Sequence, residues 1–369
     1  MDTNSVKILV YGAGPLGSLF AARLQEGGND VSLLARGQRL ADLREHGLVV
    51  IDVLTEQRTV TQVNLIEELT PGDAYDLVLV IMRKNSALKI LPRLAANQHT
   101  PNILFLGNNA AGPDAYIEAL GRERVLVGFP NSAGYHEGHE IHCIAGTEDD
   151  LAIIPFGEVD GSITKRTQWV AHVLESALGF GAEIRTDMDA WLKYHVALLF
   201  PSLAPALRMC GVDNYRLANT RDALVLAIRA AREGFQVLQA LGYPITPTKL
   251  KLFAWLPEPI LVWLLQRLMA NELMETALVK HAEAAHDEVL HLTEEFRELA
   301  KGVSIPTPTI ERLYPQIISP EPELLPEGSA QIPLRWKGLL ICLGALATVL
   351  LGGIAIIRTK YLRKSSIDN

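Results

Sequence analysis

The chain has 369 residues, 49% of them hydrophobic and 21% charged, with 34 basic against 42 acidic side chains and a formal net charge of −8. That length and apolar content support about two domains with real cores and exclude a wholly disordered or collagen-like chain. The acidic balance supplies no general basic field for phosphate backbones, so no nucleic-acid partner is expected.

From the N-terminus, Met1 to Ser5 shows no basic n-region or cleavage pattern and leads straight into an apolar run, so no secretory signal is expected. Short β-type runs then alternate with helical stretches up to about residue 185, the signature of a parallel sheet covered by helices. The expected strands are Lys7 to Tyr11, Val31 to Ala35, Leu77 to Met82, Ile103 to Leu106 and Val125 to Phe129. Val49 to Val53 with Arg58 to Val63 suggests an inserted antiparallel pair, and His139 to Ile144 with Leu151 to Pro155 a second hairpin. The three cysteines, Cys143, Cys210 and Cys342, lack C-x-x-C or metal-ligand spacing, which points to a reducing compartment.

The strongest chemical signal is Gly12-Ala13-Gly14-Pro15-Leu16-Gly17, directly after the first strand and opening a helix. Gly12 permits the tight turn, Gly14 lets a pyrophosphate approach the backbone, and Gly17 allows close packing of helix on strand. Helix amides then meet the phosphates, and Pro15 suits the first helical turn. After the second strand the chain reads Leu34-Ala35-Arg36-Gly37, with no carboxylate for a ribose 2′-hydroxyl. Arg36 can pair a 2′-phosphate instead, so NADPH is the expected cofactor.

After about Asp187 long helical patterns dominate. Leu278, Ala282, Ala285, Val289, Leu292, Phe296 and Leu299 form one apolar stripe. Leu252 to Leu265, interrupted by Pro257 and Pro259, reads as a cap over a cleft, a membrane-surface element or ordinary core. His136, His139 and His142, and then His281, His286 and His291, lack metal-site spacing, and no metal is expected. His281 and Glu288, seven apart, share one side of a helix and can line a cleft or face solvent. The Pro- and Glu-rich stretch 319–334 suits a solvated tether. Gly338 to Ile357 is a run of twenty uncharged residues with basic flanks and Trp336 and Tyr361 at its edges. At about 1.5 Å per residue it spans a hydrocarbon core, so a single-pass C-terminal membrane anchor is expected. The catalytic body is then placed in the cytoplasm, against the charge bias of the tail.

The segments GAGPLGSLFAARLQEGGNDVSLLAR, DLVLVIMRK, LGNNAAG, WLKYHVALL and GVSIPTPTIERLY together resemble the ketopantoate reductase (2-dehydropantoate 2-reductase) family over about Val6 to Ile317. The resemblance implies a Rossmann domain followed by a helical domain, NADPH, and a small keto substrate. It also implies that Lys193 protonates the developing alkoxide, that Asn109 contacts cofactor and substrate, and that Arg83 stands where the family has a lysine. Glu288 is the nearest substitute for the family's assisting glutamate. Two family asparagines are replaced by Ala197 and Pro201, which implies a less polar substrate.

The resulting expectation is a Rossmann NADP-binding domain over 1–185, a helical substrate and catalytic domain over 186–318, a tether over 319–334, a transmembrane helix over 335–358 and a basic tail over 359–369. A homodimer is compatible with it. The competing readings are another hydroxy-acid or opine-type dehydrogenase and a non-catalytic NADPH-binding sensor at a membrane.

Overall fold

Runs of branched apolar residues favour extended backbone, and those covered on both faces take the centre of a parallel sheet. A computed structural model describes residues 5–147 and 149–336, and Leu77–Val80, Ile103–Leu106 and Val125–Gly128 are buried along their whole length. They belong to an eight-stranded sheet in the order Phe180–Ile184, Ala152–Glu158, Val125–Gly128, Ile103–Leu106, Leu77–Val80, Lys7–Tyr11, Asp30–Leu34, Asn64–Ile66. Six strands, from Val125–Gly128 to Asn64–Ile66, are parallel. The pair at the other edge reverses direction, since Ala152–Glu158 runs antiparallel to Val125–Gly128 and parallel to Phe180–Ile184. The chain leaves Lys7–Tyr11 towards one side of the sheet and returns at Leu77–Val80 on the other. The crevice between these strand ends is where open α/β sheets take ligands.

A four-stranded sheet, in the order Arg58–Thr61, Leu48–Asp52, Glu140–Ile144, Ala133–Glu137, packs beside the first helix, Pro15–Glu26. The inserted antiparallel pair forms as expected. The second hairpin differs: Glu140–Ile144 turns back on Ala133–Glu137, and Ala152–Glu158 joins the large sheet. Gly138, at φ +59°, takes the left-handed conformation that a two-residue hairpin connection needs, so Glu137 and Glu140 pair directly.

The second half is helical. Met188–Leu198 runs into a π-helical segment, Leu199–Leu203, because Pro201 has no N–H for the Ala197 carbonyl. The Ser202 hydroxyl donates to that carbonyl instead, at 3.2 Å. Ala197 is fully buried, and a Cβ built on Gly234 of the long helix Arg221–Ala240 would lie 3.1 Å from its methyl. The apolar stripe from Leu278 is not one helix. It breaks at Ala285 between Lys280–Ala284 and His286–Ala300, and the Ala284 carbonyl accepts from Arg83 across the cleft. In the Leu252 to Leu265 stretch, Leu261 and Val262 are buried, whereas Trp255 is 75% exposed.

Two expectations are corrected. Among the described residues no helix is long and apolar enough to cross a membrane, and these residues form a Rossmann-type α/β part followed by helices. The expected span at 335–358 and the tail at 359–369 fall, beyond Trp336, outside the described residues. The membrane partner and membrane location that rested on that span are set aside with it.

The stretch after Ser319 lies docked along the helices, unlike a free tether. Arg216 donates to the Leu325 carbonyl and Arg229 to the Pro333 carbonyl. Buried Asp222 accepts from the Ser329 hydroxyl and from the amides of Gln331 and Ile332, both at 2.8 Å. Burial alone would raise the Asp222 carboxyl, but these donors and Arg221 outweigh it and hold its pKa below the usual carboxylate value. Its contribution to stability is therefore present above the unfolded pKa and is lost as pH falls through the folded one. Asp222→Ala leaves these donors without their acceptor and is expected to cost about 2–4 kcal/mol. A lowered thermal midpoint and new protease cleavage between residues 319 and 335 would be the signs of it.

Candidate functional site

The glycine turn sits at the carboxyl end of Lys7–Tyr11. Gly12 has φ +123°, and a Cβ there would lie 2.6 Å from the Ile81 carbonyl oxygen. A Cβ on Gly17 would lie 1.8 Å from the Gly12 carbonyl oxygen, so helix and turn touch through bare backbone. Gly14 is the N-cap of Pro15–Glu26 without a side-chain cap, and nothing lies within 4 Å of a Cβ built on it. Uncapped amides facing open space suit a pyrophosphate. Ala13 and Leu16 pack against the core of the large sheet. Arg36 is exposed at the end of the second strand, its guanidinium set by an Nε–H bond of 2.9 Å to the Glu67 carbonyl.

Two further strand ends, after Leu77–Val80 and Ile103–Leu106, meet the helical half here. Asn109 is buried, and its side chain closes its own loop: Oδ1 accepts from the Gly112 amide and Nδ2 donates to the Gly112 carbonyl, each at 2.9 Å. The same Oδ1 accepts from Lys84 Nζ at 2.8 Å. On the other side, Lys193 Nζ contacts Asp189 and lies 4.8 Å from the centre of the Tyr243 ring. A Cβ on Gly112, at φ +92°, would lie 3.2 Å from Lys193 Nζ, so only glycine lets the loop come this close without strain. Both lysines are 2% exposed.

Helix His286–Ala300 supplies the carboxylates. Glu288, 3% exposed, accepts from the Lys84 backbone amide at 3.2 Å. Burial raises its pKa against the opposing effect of that bond and of the Asn108 side chain. Glu295 accepts from the amides of Ala110 and Ala111 at 3.3 and 3.2 Å, pairs with His291 at 3.2 Å and lies 4.0 Å from Lys84 Nζ.

The structure therefore brings Asn109, Lys193 and Glu288 together, beside the turn of Gly12 to Gly17. Arg36 stands at the outer end of the same crevice. Arg83 points away from the pair of lysines to Asp287, at 2.7 Å, and to the Ala284 carbonyl. The residue after it, Lys84, fills the inner position, and together with Glu295 and Asp189 it was not picked out by the sequence. Rotation at the start of helix Lys84–Ala96 decides between the two adjacent cations, which a motif of residue types does not encode. The spacing Glu288, His291, Glu295 did carry a signal of one helix face.

The family model described as Ketopantoate reductase PanE/ApbA matches residues 8–156. A 2-dehydropantoate 2-reductase of Archaeoglobus fulgidus is 26% identical over 239 residues, 64% of this chain and 75% of that protein. Among solved structures, a 2-dehydropantoate 2-reductase from Geobacter metallireducens GS-15 aligns with TM-score 0.67 at 17% identity, over 84% of this chain and 98% of that one. D-mandelate dehydrogenase with NADH and anilino(oxo)acetate aligns with TM-score 0.68 at 15% identity, over 84% and 96%. These two likenesses are of fold. Over residues 8–156 the chain is thus similar to the ketopantoate reductase PanE/ApbA family, and the solved structures share its fold.

Burial, with Lys193 nearby, lowers the Lys84 pKa from its ordinary 10.5 to about 8, against the pull of the Glu295 and Asp189 carboxylates. The unfolded chain keeps the ordinary value, so the folded state releases the proton first. The ammonium thus destabilises fully below about pH 8, and this cost vanishes as pH rises towards the ordinary lysine value. Lys84→Met keeps the apolar stem, and Asn109 and Glu295 retain their amide donors. The variant is expected to be about 1–3 kcal/mol more stable at pH 7, with a smaller gain at pH 10, read as thermal midpoints at the two values.

Proposed function

We propose that the chain is an NADPH-dependent reductase of a 2-keto acid or a related ketone. The observation that carries this reading is the pair of buried lysines set on either side of the Asn109 loop, beside a dinucleotide turn that leaves its helix amides open. Gly12, Ala13, Gly14, Pro15, Leu16 and Gly17 would hold the pyrophosphate and Arg36 the 2′-phosphate. The dinucleotide supplies a hydride when bound.

Lys193 Nζ would stabilise negative charge at the carbonyl oxygen and pass it a proton. Asn109 fixes the loop against which the reacting groups lie, and Lys84 adds a second positive charge behind it. Glu288 holds the start of helix Lys84–Ala96 through its backbone amide, and so positions Lys84. Arg83 acts in this reading as a strut that ties Asp287 and Ala284 to the strand ends, ahead of any direct role with the cofactor. The opposed lysines enclose the reacting oxygen in a water-poor site, where a charged donor counts for more than in solution.

Lys193→Ala is expected to lower kcat by about 10²–10³-fold while the NADPH dissociation constant stays within about threefold. Arg36→Ala should erase the preference for NADPH over NADH by about tenfold, since a 2′-phosphate loses its partner. Steady-state oxidation of both dinucleotides, with fluorescence titration for binding, checks the two together. Turnover indifferent to Lys193 would contradict the assignment.

A further inference from the structure

In the described residues around the two lysines, every cation already has an acidic neighbour. Lys193 Nζ contacts Asp189, which also accepts from the Tyr243 hydroxyl. Lys84 Nζ has Glu295 at 4.0 Å, and Arg83 outside it has Asp287 at 2.7 Å. Lys84 and Lys193 thus share the cleft with Asp189, Glu288 and Glu295, two cations against three carboxyl groups. Asp189 and Glu295 face the two lysines directly, and Glu288 accepts from the Lys84 backbone amide, so the site holds no cation without an acid beside it. An anionic substrate entering such a site would have to displace an internal carboxylate or remain uncompensated, and either costs affinity steeply in a buried place. Two positions on the helical side carry no polar side chain. Ala197 is packed against Gly234, and Pro201 lies buried in its π-helical segment.

We propose, resting on the reductase reading above, that the substrate is a carbonyl compound without a carboxylate, such as a keto ester, a keto lactone or a simple ketone, and that Asp189 sets this preference. Asp189 is 30% exposed beside a lysine that is 2% exposed, so it stands at the mouth of the site with Lys193 behind it. It holds the ammonium in place for a neutral carbonyl oxygen and opposes a carboxylate at the same point. In the reaction a hydride adds to the carbonyl carbon, the carbonyl π pair moves to oxygen, and that oxygen takes a proton from Lys193. The ketone is reduced to an alcohol, NADPH is oxidised to NADP⁺, and the neutral lysine recovers its proton from water.

The test uses the full chain and matched pairs that differ in charge: 2-ketoisovalerate with its methyl ester, and ketopantoate with its lactone. Turnover is followed by NADPH oxidation, and binding separately by quenching of the fluorescence of bound NADPH. The neutral member of each pair is expected to have a kcat/KM and an affinity at least about tenfold higher than the acid, the effect of one uncompensated charge. Asp189→Asn should shrink that ratio by about tenfold, while lowering turnover of both members of each pair through the loosened ammonium. Lysine-dependent turnover that favours the acids in the unaltered chain would overturn the proposal and leave the reductase reading standing. An unchanged ratio in Asp189→Asn would overturn the role of Asp189. Failure of all four compounds both to react and to quench would overturn the proposal together with the reductase reading.

Discussion

One asparagine side chain organises the cleft. Asn109 bonds its own loop twice and Lys84 once, so the loop, the second lysine and the strand ends form one rigid unit. The opposite face of that loop is bare at Gly112, which brings Lys193 within touching distance. Two ammonium groups can be buried this close only if something polar stands between them and acids stand behind them. Asn109 provides the first condition, and Asp189 and Glu295 the second. The cost of burying charge is borne by the rest of the fold, which is the usual relation between a reactive site and stability.

The two halves of the chain supply different parts of this arrangement. The parallel sheet offers three neighbouring strand ends, which set the glycine turn, Arg83 with Lys84, and the Asn109 loop in a row. The helices supply Lys193 from Met188–Leu198 and both glutamates from His286–Ala300. Contacts across the cleft are polar and specific: Arg83 with Asp287, the Lys84 amide with Glu288, and the Ala110 and Ala111 amides with Glu295. The docked stretch from Leu325 to Arg335 braces the helices from behind, because Asp222 and Glu258 accept its backbone amides.

Much of this was legible in the residues. The glycine turn, the buried strands and the change to helices follow from local chemistry, since positive φ, branched side chains and apolar periodicity are each properties of short segments. What was not legible depends on distant neighbours. Whether Arg83 or Lys84 turns inward depends on a helix start and on acids about 200 residues away. Composition marks 319–334 as exposed and extended, but the arginines and Asp222 that hold it come from other helices. The hairpin assigned to His139–Pro155 failed because apolar runs do not name their partners, and Gly138 made the nearer pairing cheaper. The break at Ala285 leaves no mark in the sequence pattern, because the stripe of apolar residues passes through it.

The proposed reaction delivers a hydride to a carbonyl carbon in the cleft beside Lys193. Reduction of methyl 2-ketoisovalerate with stereospecifically 4-deuterated NADPH, with the product examined by NMR or mass spectrometry, addresses this directly. One deuteron is expected on the hydroxyl-bearing carbon for each NADPH oxidised when the deuterium occupies the transferred face, and none from the opposite face. NADPH that binds tightly but delivers label to no carbonyl compound, neutral or acidic, would contradict it.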